Sequence, residues 1–243
     1  MKGLLDMNTG IAARLEQLEE KIEKACLRSG RKRHEIKLLG VTKFHPVEAV
    51  AEAWNAGMRL FGESRVQEGV EKYKQFWNMR PRTDTELHFI GQLQRNKAKT
   101  AAAFFDCIQS VDRMPLIDAL GVLTAGRECP LMIMLEYHTG EESKAGFPDL
   151  DSLFRAAEKV LGFPGMFPAG LMTMAPFTND EKAIRASFRK LHAAKDELLK
   201  RFGSGGKEWS CLSMGMTSDF EIAIEEGSTM IRLGTSIFGE RKE

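Results

Sequence analysis

The 243-residue sequence carries no excess of either charge: 35 basic residues stand against 34 acidic ones. No field of one sign therefore draws it to nucleic acid or to an anionic membrane. Long apolar runs are missing too, since no segment reaches the ~20 residues of a membrane span. The opening MKGLLDMNTGIAARLEQLEEK turns acidic where a secretory signal would stay apolar. Cysteine is scarce. Cys26, Cys107, Cys129 and Cys211 stand far apart, with no C-x-x-C pair and no metal-ligand spacing to the five histidines. That excludes a zinc module and predicts buried free thiols in a reducing cytoplasm. Tyrosine occurs only at 73 and 137. The G-x-G-x-x-G turn of doubly wound nucleotide folds is absent, because Thr42-Lys43-Phe44-His45-Pro46 follows the first apolar run. No low-complexity stretch or domain linker interrupts the chain. Gly203-Ser204-Gly205-Gly206 reads as a short helix-to-strand connection, and Phe163-Pro164-Gly165 as a turn.

What is present is a regular alternation. A helix is predicted over 9–29, capped by Thr9, with Ile11, Leu15, Leu18 and Ile22 on one stripe. After it, short apolar runs at 37–42, 58–61, 87–90, 106–110, 130–136, 167–171, 208–213 and 229–233 read as strands. Helical patterns fall between them at 46–56, 65–77, 96–104, 112–121, 149–161, 179–202 and 218–226. Strand-helix alternation implies parallel strands joined by right-handed crossovers. Eight strands suit a closed (β/α)8 barrel, and a chain of this length fits one barrel domain over 1–243.

Sites of such barrels form at the C-terminal strand ends, with phosphates held after the seventh and eighth strands. Lys43 stands where strand one emerges. An ammonium pressed into a buried strand end is pushed toward its neutral, nucleophilic form, although a lysine there can also snorkel to water. Late in the chain, Ser213-Met214-Gly215-Met216-Thr217-Ser218-Asp219 and Arg232-Leu233-Gly234-Thr235-Ser236 offer hydroxyls, glycines and helix-start amides suited to a dianion. The bland alternatives are an ordinary cap at Ser218 and a structural ion pair for Arg232. Taken together, the lysine, the late cradle and an inward arginine describe a pyridoxal-phosphate site. Arginine opposite the pyridine nitrogen would leave that nitrogen unprotonated and the ring a weak electron sink.

Five motifs carry a resemblance: Val41-Thr42-Lys43, FGESRVQEG at 61–69, HFIGQLQRNK at 88–97, SMGMTSDFEIAI at 213–224 and GSTMIRLGTSIFGER at 227–241. On these the chain resembles the pyridoxal-phosphate homeostasis proteins, the YggS-like or proline-synthase-co-transcribed group, from Leu38 to Gly239. The resemblance implies a single (β/α)8 barrel like the N-terminal domain of alanine racemase, of fold type III. It implies that Lys43 binds pyridoxal phosphate as an internal aldimine. It places Thr217, Gly234 and Thr235, with Ser213 in the same loop, around the phosphate, and Arg232 opposite the pyridine nitrogen. Ser64 stands where many members carry Asn, and Thr217 where many carry Ser.

Racemases of this barrel type use a second domain and a tyrosine as second base. The sequence is expected to lack both, since Tyr73 lies in a helical stretch away from the strand ends and little chain follows Ile237-Phe238-Gly239-Glu240. The expectation is a cytoplasmic, monomeric protein that binds, buffers or delivers the cofactor, with pyridoxal-phosphate-dependent apoenzymes as recipients. No catalytic residue and no metal ligand is assigned. The alternative is a weak amino-acid racemase or related enzyme on the same lysine; a protein that senses cofactor and binds a partner would share the same features. His88 reads as a hydrogen-bonded core residue and His45 as a turn residue before Pro46. Met172, Met174, Met214 and Met216 read as soft packing. Residues 92–97 read as a solvated helix start, and the basic run 28–34 as a solvated turn.

Overall fold

The computed structural model describes residues 10–140, 145–203 and 208–240. Eight parallel strands close into a barrel in sequence order: β1 (Lys37–Val41), β2 (Leu60–Glu63), β3 (Glu86–Phe89), β4 (Cys107–Val111), β5 (Leu131–Glu136), β6 (Met166–Met172), β7 (Cys211–Ser213) and β8 (Met230–Leu233). Closure comes from β1 pairing with β8, which sets Leu39 beside Arg232 and Gly40 beside Leu233. The helices are α1 (Ile11–Arg28), α2 (Val47–Asn55), α3 (Val66–Met79), α4 (Ala98–Phe104), α5 (Met114–Thr124), α6 (Leu150–Leu161), α7 (Glu181–Phe202), α8 (Phe220–Glu225) and α9 (Thr235–Phe238).

Side chains alternate between the two faces of each strand, so the barrel has two separate cores. Leu39, Val41, Cys107, Met134, Ala169, Met172 and Met230 pack inside the barrel. The larger cluster, with Phe61, Leu87, Ile108, Leu135 and Ile231 among it, lies between strands and helices. Arg232 shares a strand face with Met230, which packs inside the barrel, and Lys43 lies in the turn just past the end of β1.

The eight strands and seven intervening helices stand where the alternation predicts them, with instructive shifts. β2 runs on to Glu63, because Gly62 and Glu63 pair with His88 and Phe89. A carboxylate at a strand end gives no apolar signal. β7 begins only at Cys211, because the buried Trp209 adopts a left-handed φ of 56° that strand geometry excludes. A 3-10 turn at Arg95–Lys97 delays α4, and α9 was not foreseen at all. Phe163-Pro164-Gly165 is a turn; Ser204, Gly205 and Gly206 lie outside the described residues.

Thr9, expected to cap α1, also lies outside the described residues. Gly10 takes the cap position, and the Ile11 N–H donates to Glu52 Oε1 at 2.8 Å. α1 is fastened across the barrel closure: Arg14 Nε donates to Ile237 O at 2.7 Å, and Arg28 pairs with Glu221 and Glu225. The basic run is thus a brace and not a solvated turn, since Arg31 also donates to the Ile224 carbonyl and Arg33 binds Glu19. The thiols need a correction as well. Cys26 and Cys107 are buried, but Cys211 is half-buried and Cys129, in the loop before β5, is exposed.

Candidate functional site

Lys43 follows Thr42 at the mouth of β1 and is half-buried. Its turn is held from below by an ion cluster. Lys72, from α3, donates to Glu63 Oε1 at 2.7 Å, to Glu68 Oε1 at 3.0 Å and to the Thr42 carbonyl at 2.6 Å. Thr42 Oγ1 in turn donates to Glu63 at 2.7 Å and lies 3.0 Å from the Tyr73 hydroxyl. Burial pushes the Glu63 carboxyl up while Lys72 pulls it down, with a net rise. The next residue, Phe44, has a left-handed φ of 65°. That conformation is costly for a residue with a Cβ and persists only where the surroundings hold it. Here the Glu68 carboxylate accepts the Phe44 N–H, and the Arg65 guanidinium lies 4.6 Å from the ring centroid. His45 stacks at 5.2 Å on Phe238, linking this turn to α9.

Arg232 enters from the neighbouring β8 and is buried. Its NH1 donates to the Ser213 carbonyl at 2.7 Å and to Ser213 Oγ at 2.8 Å, and its NH2 to the Thr173 carbonyl at 2.9 Å. Burial lowers its pKa to about 10, opposed by Asp219 and Glu136, so it stays a cation at neutral pH. At the end of β5, buried Glu136 is pushed up to about 7, by desolvation first and by Asp112 second.

The two late loops meet at the rim. Ser236 Oγ donates to Thr217 Oγ1 at 3.0 Å. Thr217 and Thr235 are exposed; Gly234 is half-buried beside Val41. The first amide to bond back after Met216 is Asp219 N–H, and the first after Gly234 is Ile237 N–H. The amides of Thr217, Ser218, Thr235 and Ser236 thus head their turns ahead of any return bond. Gly215 has φ 103°, and a Cβ on it would sit 2.7 Å from that of Ala223, so only glycine lets this loop lie against α8.

This donor set fits a phosphorylated aldehyde. Hydroxyls and turn-start amides suit the dianion, a primary amine suits the aldehyde, and a buried guanidinium suits a ring nitrogen that carries no proton. Ser213 is joined to Arg232 and Thr217 to Ser236. Lys43 and Gly234 share the mouth because β1 and β8 are neighbours. Ser213 differs in kind from the other expected phosphate residues: it is fully buried and already bonded to Arg232, so its oxygen serves the arginine.

Thr173, Gln109, Glu136 and the Lys72 cluster were not singled out from the sequence, and Ser236 only as part of its segment. Ser236 had a signal, a hydroxyl next to Thr235; Gln109 had none. Tyr73 sits on α3 as expected, yet its hydroxyl reaches the β1 end from behind, within the core. His88 is a hydrogen-bonded core residue, and Met172 and Met214 are buried while Met174 and Met216 reach the rim. Among the described residues, no group of three or more His, Cys, Asp or Glu could hold a metal ion. Among them, too, no helix is long and apolar enough to cross a membrane.

The family model for the alanine racemase N-terminal domain matches residues 14–242. A pyridoxal phosphate homeostasis protein of Aquifex aeolicus is 38% identical over 229 residues, covering 94% of this chain and 97% of that one. PipY of Synechococcus elongatus PCC7942, solved with pyridoxal phosphate bound, superposes with a TM-score of 0.80 at 33% identity, over 94% of this chain and 100% of that one. Alanine racemase from E. faecalis shares the fold at 17% identity and a TM-score of 0.65, over 92% of this chain and 57% of that one. By its sequence and by its barrel, the chain belongs to the alanine racemase N-terminal-domain family and, within it, to the pyridoxal phosphate homeostasis proteins.

Proposed function

We propose that this protein binds pyridoxal 5'-phosphate at the C-terminal mouth of the barrel and serves vitamin B6 homeostasis by buffering the cofactor or passing it to apoenzymes. One observation carries the reading: Lys43 and Arg232 emerge at one mouth from the paired strands β1 and β8, beside two hydroxyl-rich loops. The bound cofactor in PipY supports it. When bound, pyridoxal phosphate supplies an aldehyde that forms a Schiff base with a primary amine and releases water.

Lys43 is the amine in this reading, held at a fixed place by the clamped turn. Thr217, Gly234 and Thr235 receive the phosphate, with Ser236 as a further donor, and Arg232 faces the ring nitrogen. Ser213 fixes Arg232. The racemase alternative gains no second base from the tyrosines. Tyr73 is buried against Thr42, and the Tyr137 ring is buried, with its hydroxyl pushed above its ordinary value by burial. The reading includes one barrel domain, because β8 closes on β1, and a monomer. It also includes a cytoplasmic setting, which suits four free cysteines.

The test is to titrate the purified protein with pyridoxal phosphate, reduce with borohydride and map the labelled peptide. Label on Lys43 is the expected result; label elsewhere, or none, would sink the assignment. Incubating the loaded protein with amino acids in deuterated water decides turnover, since a racemase exchanges the α-proton and a carrier does not. Light scattering checks the monomer.

A further inference from the structure

A single file of buried polar groups crosses the barrel from the cofactor mouth to its opposite end. Arg232 NH1 donates to Ser213 Oγ at 2.8 Å, and Ser213 Oγ donates to Gln109 Oε1 at 2.6 Å. Gln109 Nε2 lies 2.7 Å from His88 Nδ1, and His88 Nε2 lies 2.7 Å from Glu86 Oε1. Ser213, Gln109 and His88 are all buried; Glu86, at the start of β3, is the member that reaches water.

One set of directions satisfies every contact in this file. Arginine can only donate, so Ser213 accepts from it and is left with its own proton to give to Gln109 Oε1. The Gln109 amide nitrogen then faces His88, and its second N–H faces Met230 Sδ at 3.2 Å, a place for a donor and a poor one for a carbonyl. Nδ1 of His88 must therefore accept, which puts the ring proton on Nε2, directed at the Glu86 carboxylate. That bond holds the Glu86 carboxyl below its ordinary value. The chain runs without a break in sense from a cation at the mouth to an anion at the far end, and aligned bonds of this kind reinforce one another.

We propose that Gln109, locked by the neutral Nε2–H tautomer of His88, is a positioning residue for Arg232: it keeps the Ser213 proton turned away and the Ser213 lone pair turned toward the guanidinium. This rests on the reading of Arg232 as the partner of the cofactor ring. Without Gln109 the Ser213 hydroxyl is free to rotate, and the guanidinium loses one defined acceptor of three.

Two measurements test it. In ligand-free wild-type protein, nitrogen-15 NMR of the imidazole should show His88 with Nε2 protonated and Nδ1 bare. A Nδ1–H tautomer would overturn the proposal whether or not the cofactor reading survives. The second measurement titrates pyridoxal phosphate into variants. Gln109→Leu should weaken binding about five-fold, the weight of one modest hydrogen bond, and shift the absorption band. Gln109→Glu should recover both, because its carboxyl accepts from Ser213 and shares a hydrogen bond with Nδ1 whichever of the two holds the proton. A Gln109→Leu protein with wild-type affinity and spectrum, or a folded Gln109→Glu protein no better than Gln109→Leu, would make Gln109 core packing only. Should Gln109→Leu fail to fold, the His88 tautomer decides alone. Failure of wild type to bind at all would strike the cofactor reading and leave the tautomer result standing.

Discussion

The two sides of the barrel mouth are built from opposite materials. Under Lys43 lies a buried, charge-rich bracket in which Lys72, Glu63, Thr42 and Tyr73 are all buried, with Glu68 at its edge. Beside it, past the ends of β7 and β8, Thr217 and Thr235 stand exposed on short turns joined by the Ser236–Thr217 hydroxyl pair. The difference matches what each side would do in the proposed binding site. A covalent anchor has to present one atom at one place, and the Lys43 turn, proposed for that role, is over-determined by burial and ion pairing, down to a left-handed Phe44. An anion needs only several donors pointing outward, which turn-start amides and hydroxyls supply without a core beneath them. Burial and ion pairing are concentrated beneath Lys43, and the loops proposed for the phosphate stand open to solvent.

The most drastic way to break this contrast is Lys43→Ala. It should abolish the borohydride-trapped adduct completely while phosphate-side binding persists in part. A trapped adduct in that variant would assign the amine to another lysine. Next in size, Lys72→Met leaves Glu63 buried beside no cation. Removing one member of a buried pair typically costs 3–5 kcal/mol, and we expect about 3 kcal/mol by denaturant unfolding. A loss under about 1 kcal/mol would mean that the bracket does not hold the turn.

Glu136 sharpens the comparison from between the two sides. It is as buried as the bracket but, among the described residues, has no ion pair. Folding keeps its carboxyl protonated up to about pH 7, against an ordinary value of 4.5. Its stabilising contribution is therefore complete below about pH 4.5 and disappears as pH rises through about 7. Glu136→Gln should remove that decline and raise stability at pH 8 by about 2 kcal/mol relative to wild type. Parallel stability–pH curves for the two proteins would place Glu136 in water. The smallest effect belongs to the open side: Thr217→Val should raise the pyridoxal phosphate Kd about ten-fold, with stability unchanged. An unaltered Kd would take Thr217 out of the cradle.

Much of this architecture is legible in the chain itself. The 3.6- and 2-residue periods separate helices from strands, and eight alternations in a chain of this length leave the barrel as the economical solution. Lys43, Arg232 and the late loops follow from reading strand ends, since parallel strands send all their C-termini to one face. Where local pattern misled, a polar residue was paired by something distant. β2 ran on through Glu63 because Phe89 paired with its backbone and Lys72 met its buried carboxylate, and Arg31 was no solvated cation because the Ile224 carbonyl was waiting for it. Ser213 belonged to the arginine for the same reason.

The order of elements, the face of each strand that enters the barrel, and the arrival of an amine, a guanidinium and a row of hydroxyls at one mouth can all be read from the chain. Those properties are periodic or local, and each is written in a few consecutive residues. Which buried polar groups satisfy one another was settled by the folded barrel. Gln109 and Ser213 are 104 positions apart, and nothing in either neighbourhood specifies the other. Their bond exists because barrel closure removes both from water, and a buried donor or acceptor must find its partner wherever the fold has brought one.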